Sequence, residues 1–260
     1  MATIQGTGIG GRVTRDDVLN GGTARTDRVA FNRIQLRAGA ALLASKRSSA
    51  HAYCVVSADY TAVDDVRRAE RERWRADEGF SLTYLPFVVR AAIDALREFP
   101  LLNASAADDA LVMHRDVNLG IAVDLANQGL VVPVVRSADT LRMRGVARAI
   151  DDLARRARSK RLVPDDLAGG TFTITNPGAS RTWMSFPIIN QPQVAILSTD
   201  GVAKRVVVDD DIPGRERLEI RMSGHLCLAF DERVIDHSYA GAFVERVATL
   251  VASREWRAEL

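Results

Sequence analysis

The chain is poor in cysteine and histidine and has no long apolar run, and each shortage excludes a class of protein. Its 260 residues include two cysteines and four histidines. Cys54 and Cys227 each lie inside an apolar run, which predicts buried thiols rather than a disulfide and favours a cytosolic location. The cysteines and histidines show no ligand spacing, so we expect no metal site. No run of ~20 apolar residues is present, so we expect no membrane association.

The charges are nearly balanced, with 35 Lys and Arg residues against 33 Asp and Glu residues. The two signs are interspersed, so we expect no nucleic-acid partner. The Arg-rich stretch 142–161 is interpreted as the solvated face of an amphipathic helix. The glycine-rich run 6–11 lacks the preceding strand that a dinucleotide-binding loop needs, and no Gly-x-Ser-x-Gly motif of a serine hydrolase occurs.

Apolar spacing predicts an α/β domain in which one mixed sheet is covered by helices. Helical spacing is found over residues 32–46, 60–76, 82–99, 140–160 and 238–252. Apolar or alternating runs of strand length occupy residues 52–58, 117–124, 130–135, 171–175, 194–198, 202–208 and 217–230. Residues 209–214 are expected to form the hairpin turn between the last two strands.

The segment Asp-Glu-Arg-Val-Ile-Asp-His at residues 231–237 is the most informative motif of the chain. It resembles the active-site signature Asp-His-Arg-(two apolar)-Asp-Gly of the dihydrolipoamide acyltransferase catalytic domain and of its relative chloramphenicol acetyltransferase. Further stretches similar to this family are residues 45–53, 82–87, 98–105, 118–136, 169–176 and 187–197. The resemblance covers residues 31–255. It implies a chloramphenicol-acetyltransferase-like two-layer sandwich and a homotrimer with active sites between neighbouring subunits.

The first residues resemble a different module of the same acyltransferases. A glycine-rich turn followed by a short helix, capped by Thr14, is similar to the last third of their peripheral-subunit-binding domain. The predicted organisation is therefore a remnant of that domain over 1–20, a polar linker over 21–30 and the acyltransferase catalytic domain over 31–260.

The resemblance implies roles for four catalytic residues. Thr175 matches the family's Ser or Thr, whose hydroxyl donates a hydrogen bond to the oxyanion of the tetrahedral intermediate; the plainer interpretation is a strand-end threonine. Asp236 matches the family aspartate and is expected to organise the site. Glu232 stands where the family has its histidine base, and His237 stands where it has glycine.

Three interpretations of Glu232 stay open at this point. Burial in a subunit interface would make it a usable base, as for carboxylic acids in apolar pockets. Alternatively it is a non-catalytic replacement in a degenerate site, or another residue acts as the base. His237 is a candidate for that other base, although such a histidine is more often a surface or helix N-terminal residue; His51 is a weaker one.

The resemblance also implies where coenzyme A binds. Ser45, Lys46 and His51 lie in a family segment near the active-site channel and are expected to contact it. The chain carries no recognisable lipoyl domain with an acceptor lysine. We therefore expect acyl-coenzyme A or a carrier protein, rather than a lipoyl group on this chain, to deliver the acyl group.

Two hypotheses follow for the function. The first is an acyltransferase that moves an acetyl or similar group from coenzyme A or a carrier to a small-molecule hydroxyl or thiol. Stand-alone relatives that acetylate a hydroxymethyl tetronate in antibiotic biosynthesis resemble this description. The second is a catalytically degenerate trimeric scaffold or ligand-binding relative.

Overall fold

A computed structural model describes residues 4, 6–20, 29–126, 128–177, 182–209 and 216–260. The chain divides into two compact units, residues 1–32 and 33–260. Most of the predicted linker over 21–30 and of the predicted turn over 209–214 lies outside the described residues.

The N-terminal unit is organised around Asp17. Its carboxylate accepts hydrogen bonds from the Thr7 hydroxyl at 2.6 Å and from the Thr14 N–H at 2.7 Å. The Thr14 hydroxyl in turn accepts from the Asp17 N–H at 3.2 Å, which completes a capping box at the start of helix α1 (Arg15–Asn20). The predicted cap at Thr14 is confirmed, whereas the assignment of this unit as a remnant of a subunit-binding domain stays a prediction.

The second unit contains the remaining helices and all of the described strands. The helices are α2 (Arg33–Ser48), α3 (Thr61–Glu78), α4 (Leu85–Glu98), α5 (Met143–Arg158) and α6 (His237–Ser253). The strands are β1 (His51–Asp59), β2 (Ala104–Ala106), β3 (Leu111–Met113), β4 (Leu119–Ile121), β5 (Val123–Asp124), β6 (Leu130–Val131), β7 (Val134–Val135), β8 (Phe172–Thr175), β9 (Ala195–Thr199), β10 (Ala203–Asp209) and β11 (Arg217–Asp231).

The second unit is built on one mixed sheet. Its strand order is β1-β11-β9-β8-β4-β7, and β10 pairs with β11. Strand β8 runs parallel to both β4 and β9, and the other pairs are antiparallel. The predicted α/β class with a mixed sheet and helices is therefore confirmed. Helices α4 and α6 are buried along much of their length, and Phe243 of α6 contacts the rings of Phe99 and Phe172 edge to face.

The structure differs from the predicted elements in three places. The predicted strand over 130–135 is two short strands, β6 and β7, which belong to different sheets. The predicted strand over 117–124 is two strands, because the chain leaves the main sheet after Ala122, whose N–H donates to the Ile174 carbonyl at 3.0 Å. The hairpin β2–β3 was not predicted, because three-residue strands are too short to show alternation.

The two cysteines are free and buried, as predicted. Burial raises the pKa of the Cys54 thiol to about 11. Within the described ranges, no helix is long and apolar enough to cross a bilayer. Over the same ranges, no group of three His, Cys, Asp or Glu side chains is arranged to hold a metal ion.

Candidate active site

The turn that carries Glu232 is fixed to the start of β1. The Glu232 N–H donates to the Ala50 carbonyl at 2.9 Å, and the Ala50 N–H donates to the Asp231 carboxylate at 3.2 Å. Asp231 also lies opposite His51 in the β1–β11 register. We call residues 49–51 together with residues 231–237 the Glu232 corner.

A buried carboxylate holds this corner together. The Asp231 side chain is 1% exposed and forms an ion pair with the Arg233 guanidinium at 2.6 Å. Burial works against the charged form of Asp231, but hydrogen bonds from Arg233 and Ser49 outweigh it and lower the pKa of Asp231. Arg233 therefore forms its ion pair with Asp231 and not with its neighbour Glu232.

The three other signature residues take different positions around the turn. Glu232 is exposed, and among the described residues its carboxylate has no hydrogen-bond or ion-pair partner. Asp236 is the N-cap of α6, where its carboxylate accepts from the Tyr239 N–H at 2.8 Å. His237 is the first residue of α6; its ring is exposed and meets Phe230 edge to face at 5.6 Å.

The residues predicted to bind coenzyme A lie beside the same corner. The Ser45 hydroxyl is buried and donates to the Ile189 carbonyl at 2.6 Å. The exposed Lys46 ammonium donates to the Tyr53 hydroxyl at 3.0 Å. Of these side chains, that of Lys46 is the one that presents a charge to solvent, and all three assignments stay predictions.

His51 is occupied by contacts within the chain. Its Nε2 accepts from the Ile189 N–H at 3.1 Å, so its Nδ1 carries the proton and donates to the Ser49 carbonyl at 3.2 Å. Burial lowers the pKa of His51, which agrees with a neutral ring. Because Nε2 already accepts a hydrogen bond, His51 is poorly placed to act as the base.

Thr175 lies at the carboxyl end of β8, beside a cleft of about 800 Å³. The cleft is also lined by the N-terminal part of α4, by residues 121–126 and by one face of α5. Its volume is typical of small-molecule binding sites. Arg158 and Lys160 line the cleft too, which the sequence interpretation of 142–161 as a solvated face had missed.

Sequence reasoning also missed a buried carboxylate near Thr175. Asp200 accepts from the Ser185 hydroxyl at 2.7 Å and from the Ser198 hydroxyl at 3.1 Å, and Ser198 is the register partner of Thr175. Asp200 thereby fixes the position of Ser185. The Asp-Gly turn at 200–201 was visible in the sequence, but nothing there indicated that its carboxylate is buried.

The structure does not bring Thr175 and Glu232 together within one chain. Thr175 is level with Ser198 on β9, and Ser198 is level with Cys227 on β11. Asp231 lies four residues beyond Cys227, roughly 13 Å along the strand, and β11 lies two strands away from β8, roughly 10 Å to the side. Proton transfer needs groups within about 3 Å of the reacting atoms. The backbone positions of the two candidate groups are therefore roughly 16 Å apart, too far for one chain to bring them to the same reacting atoms.

The family model of the 2-oxoacid dehydrogenases acyltransferase (catalytic domain) matches residues 23–256. The lipoamide acyltransferase component of the branched-chain alpha-keto acid dehydrogenase complex of Bacillus subtilis is 37% identical over 209 residues. That match covers 80% of this chain and 48% of the relative, so the chain spans about half of its length.

Two solved structures share the fold. A probable dihydrolipoamide acetyltransferase of Listeria monocytogenes has 34% identity and a TM-score of 0.85, over 92% of this chain and 100% of that chain. Azotobacter vinelandii dihydrolipoamide acetyltransferase has 32% identity and a TM-score of 0.81, over 90% of this chain and 93% of that chain. That structure belongs to an investigation of a serine, a histidine and an asparagine in the catalytic mechanism.

Proposed function

The chain belongs to the family of 2-oxoacid dehydrogenase acyltransferase catalytic domains, and from this premise we propose that it transfers an acyl group from coenzyme A to a small-molecule hydroxyl or thiol. The observation that carries the proposal is the position of Thr175 beside a cleft large enough for a substrate. The serine studied in the Azotobacter relative has the same hydroxyl chemistry as Thr175.

The proposed reaction is a direct acyl transfer. The acceptor oxygen or sulfur attacks the thioester carbonyl, and its proton passes to the Glu232 carboxylate. The Thr175 hydroxyl donates a hydrogen bond to the oxyanion that forms. When the intermediate collapses, the carbon–sulfur bond to coenzyme A breaks, and Glu232 returns the proton to the departing thiolate. No external oxidant, reductant or metal is required.

The proposed site needs two copies of the chain. Thr175 and Glu232 are separated by roughly 16 Å on one sheet, so we propose that a complete site takes Thr175 from one copy and Glu232 from another. A head-to-tail interface that closes into a ring repeats such a site at every contact. The number three comes from the family resemblance, and we propose a homotrimer on that ground. An interface around Glu232 would also supply the burial that a carboxylate base needs.

An exposed apolar surface supports an assembly of this kind. Val206 and Val208 of β10 face Ile220 and Leu218 of β11 in register, so the four side chains lie on one face of a two-stranded ribbon. They are between 59% and 75% exposed. Contiguous apolar residues at this exposure are typical of surfaces that another protein covers. We propose that a second copy covers them.

A finer proposal concerns the acceptor. From the resemblance alone, we propose that the acceptor hydroxyl belongs to a natural-product intermediate such as a hydroxymethyl tetronate. The alternative function, a catalytically degenerate scaffold, is favoured by one observation: the exposed Glu232 carboxylate at the position of the family histidine. The cytosolic location stays a prediction.

Replacement of Thr175 separates these alternatives. Thr175→Val keeps the shape of the side chain but removes the hydroxyl, so we expect kcat to fall by about 10²–10³-fold. The matched control Thr175→Ser keeps the hydroxyl and should stay within about tenfold of the wild type. The measurement is the conversion of acetyl-coenzyme A to coenzyme A with dihydrolipoamide as acceptor, separated by chromatography, above hydrolysis without acceptor. Equal rates for the valine variant and the wild type would remove Thr175 from the mechanism.

A further inference from the structure

The cleft beside Thr175 is lined along α5 by three alanines and one isoleucine. Ala147, Ile150, Ala154 and Ala157 follow one another at three- and four-residue spacing, so they lie on one face of the helix, and all four line the cleft. Ile121 and Val123 line the facing side. Short alanine side chains leave the space between helix and strands open, and the surface around that space is mostly apolar.

Two cations line the same cleft. Arg158 is the last residue of α5, and Lys160 follows two residues later. The other arginines of α5 all form ion pairs: Arg144 and Arg148 with Glu78, Arg155 with Asp151, and Arg156 with Asp152 and Asp166. Within the described part of the chain, the Arg158 and Lys160 side chains have no carboxylate partner.

The acidic residues of the cleft neutralise these cations only in part. Asp151 lines the cleft, but Arg155 pairs with it at 2.7 Å. Asp124 also lines the cleft, is exposed, and offsets one of the two cations. The cleft therefore keeps an excess of positive charge from Arg158 and Lys160.

Lys160 occupies a backbone position that favours glycine. Its φ is +57°, in the left-handed region, and it follows the helix end where the Arg161 N–H donates to the Arg156 carbonyl at 2.8 Å. Glycine is the preferred residue at such a position because a Cβ atom is strained there. The fold would be at least as stable with glycine, so the lysine supplies a charge that the helix end does not need.

We propose that the cleft binds the acyl acceptor as an elongated apolar molecule with one anionic group, its body along the alanine face of α5 and its anion on Arg158 and Lys160. This inference rests on the proposed function, because Thr175 marks the reactive end of the same cleft. The volume of about 800 Å³ far exceeds what an acetyl group needs and suits a drug-sized molecule. Charge-assisted hydrogen bonds from an arginine and a lysine are the usual means of binding a carboxylate or phosphate.

Binding of decanoate, measured by titration calorimetry on the full chain, tests the proposal without requiring catalysis. We expect decanoate to bind the wild type, and the neutral analogue decanol to bind at least about tenfold more weakly. Lys160→Gly should weaken decanoate about tenfold while the melting temperature stays equal or rises, because the strained backbone is relieved. The combined variant Arg158→Gln/Lys160→Gly should weaken it further. Arg161→Gln, which removes a neighbouring cation outside the cleft lining, is the matched control and should bind decanoate as the wild type does.

Ala154→Phe tests the apolar part of the cleft. A phenyl ring on the α5 face fills part of the space, so we expect decanoate affinity to fall at least about tenfold. Equal binding of decanoate and decanol would contradict the proposed anion site at Arg158 and Lys160. So would wild-type affinity for decanoate in Lys160→Gly and in Arg158→Gln/Lys160→Gly.

The phosphates of coenzyme A are a second source of anions for the same cations, and a separate titration distinguishes them. If coenzyme A, titrated alone, loses affinity in Lys160→Gly while decanoate does not, the cations serve the acyl donor and the acceptor assignment is overturned. Decanoate binding should survive in Thr175→Val. Intact decanoate binding by a protein that never transfers acyl groups would refute the proposed function but keep the cleft assignment.

Discussion

Glu232→Gln is expected to lower acyl transfer by about 10³-fold, because glutamine keeps the size of the side chain but cannot accept a proton. The contact of Glu232 with Ala50 is made by its backbone N–H, and its carboxylate takes no part in it. The fold should therefore be unaffected, and the melting temperature should stay within about 1 °C of the wild type. The measurement is the conversion of acetyl-coenzyme A to coenzyme A in the presence of dihydrolipoamide, separated by chromatography.

Two further variants sharpen this result. Glu245 is an exposed glutamate on α6, so Glu245→Gln removes the same charge away from the corner and should leave the rate unchanged. Glu232→His places an imidazole at the family's base position and is expected to restore or exceed the wild-type rate. A Glu232→Gln variant at full rate would leave the base unassigned and favour another residue or a degenerate site.

Arg233→Met is expected to destabilise the fold by about 2 kcal/mol at pH 7, because it leaves the buried Asp231 carboxylate without its ion-pair partner. The loss should be smaller than for a fully buried pair, since Arg233 is 52% exposed whereas Asp231 is 1% exposed. The measurement is urea-induced unfolding. Arg257→Met breaks an exposed pair with Glu70 and is the matched control, expected to cost less than about 0.5 kcal/mol.

The pH dependence of this difference follows from the lowered pKa of Asp231. In the wild type, the carboxylate contributes stability above its unfolded pKa of about 4, and that contribution is lost as the pH falls through the lower folded pKa. Without Arg233 the folded pKa rises, so there is less of this stability to lose. The difference in free energy of unfolding between the wild type and Arg233→Met should therefore become smaller as the pH falls below about 4. A gap that stays constant down to pH 3 would show that Arg233 acts through packing instead.

Much of the fold was predictable from local pattern. The helix predicted over 140–160 is α5 (Met143–Arg158), and the strand predicted over 217–230 is β11 (Arg217–Asp231). Both have long, regular apolar spacing, which is the strongest local signal. Two short strands were not predicted. β2 and β3 have three residues each, and the turn that pairs them leaves no pattern of apolar spacing in the sequence.

The sequence motifs predict which residues are candidates for the site, but they do not predict how far apart those residues lie. The motifs predict Thr175 and Glu232 as candidates, yet the distance between them depends on the order of β8, β9 and β11 in the sheet, which is set by long-range pairing. The role of Arg158 and Lys160 was hidden for a related reason. The sequence shows that Arg158 and Lys160 follow the arginines of α5, but not that residues distant in the chain form the opposite wall of a cleft beside them.

Complementation between two inactive variants tests the central claim most directly, namely that each site combines Thr175 of one copy with Glu232 of another. Thr175→Val and Glu232→Gln are produced separately and also co-expressed in equal amounts, and the rates at which acetyl-coenzyme A is converted to coenzyme A are compared. With random assembly around a ring, both groups are intact at about a quarter of the sites, so the mixed protein should recover about a quarter of the wild-type rate. A mixed protein no more active than the separate variants would contradict a site shared between copies.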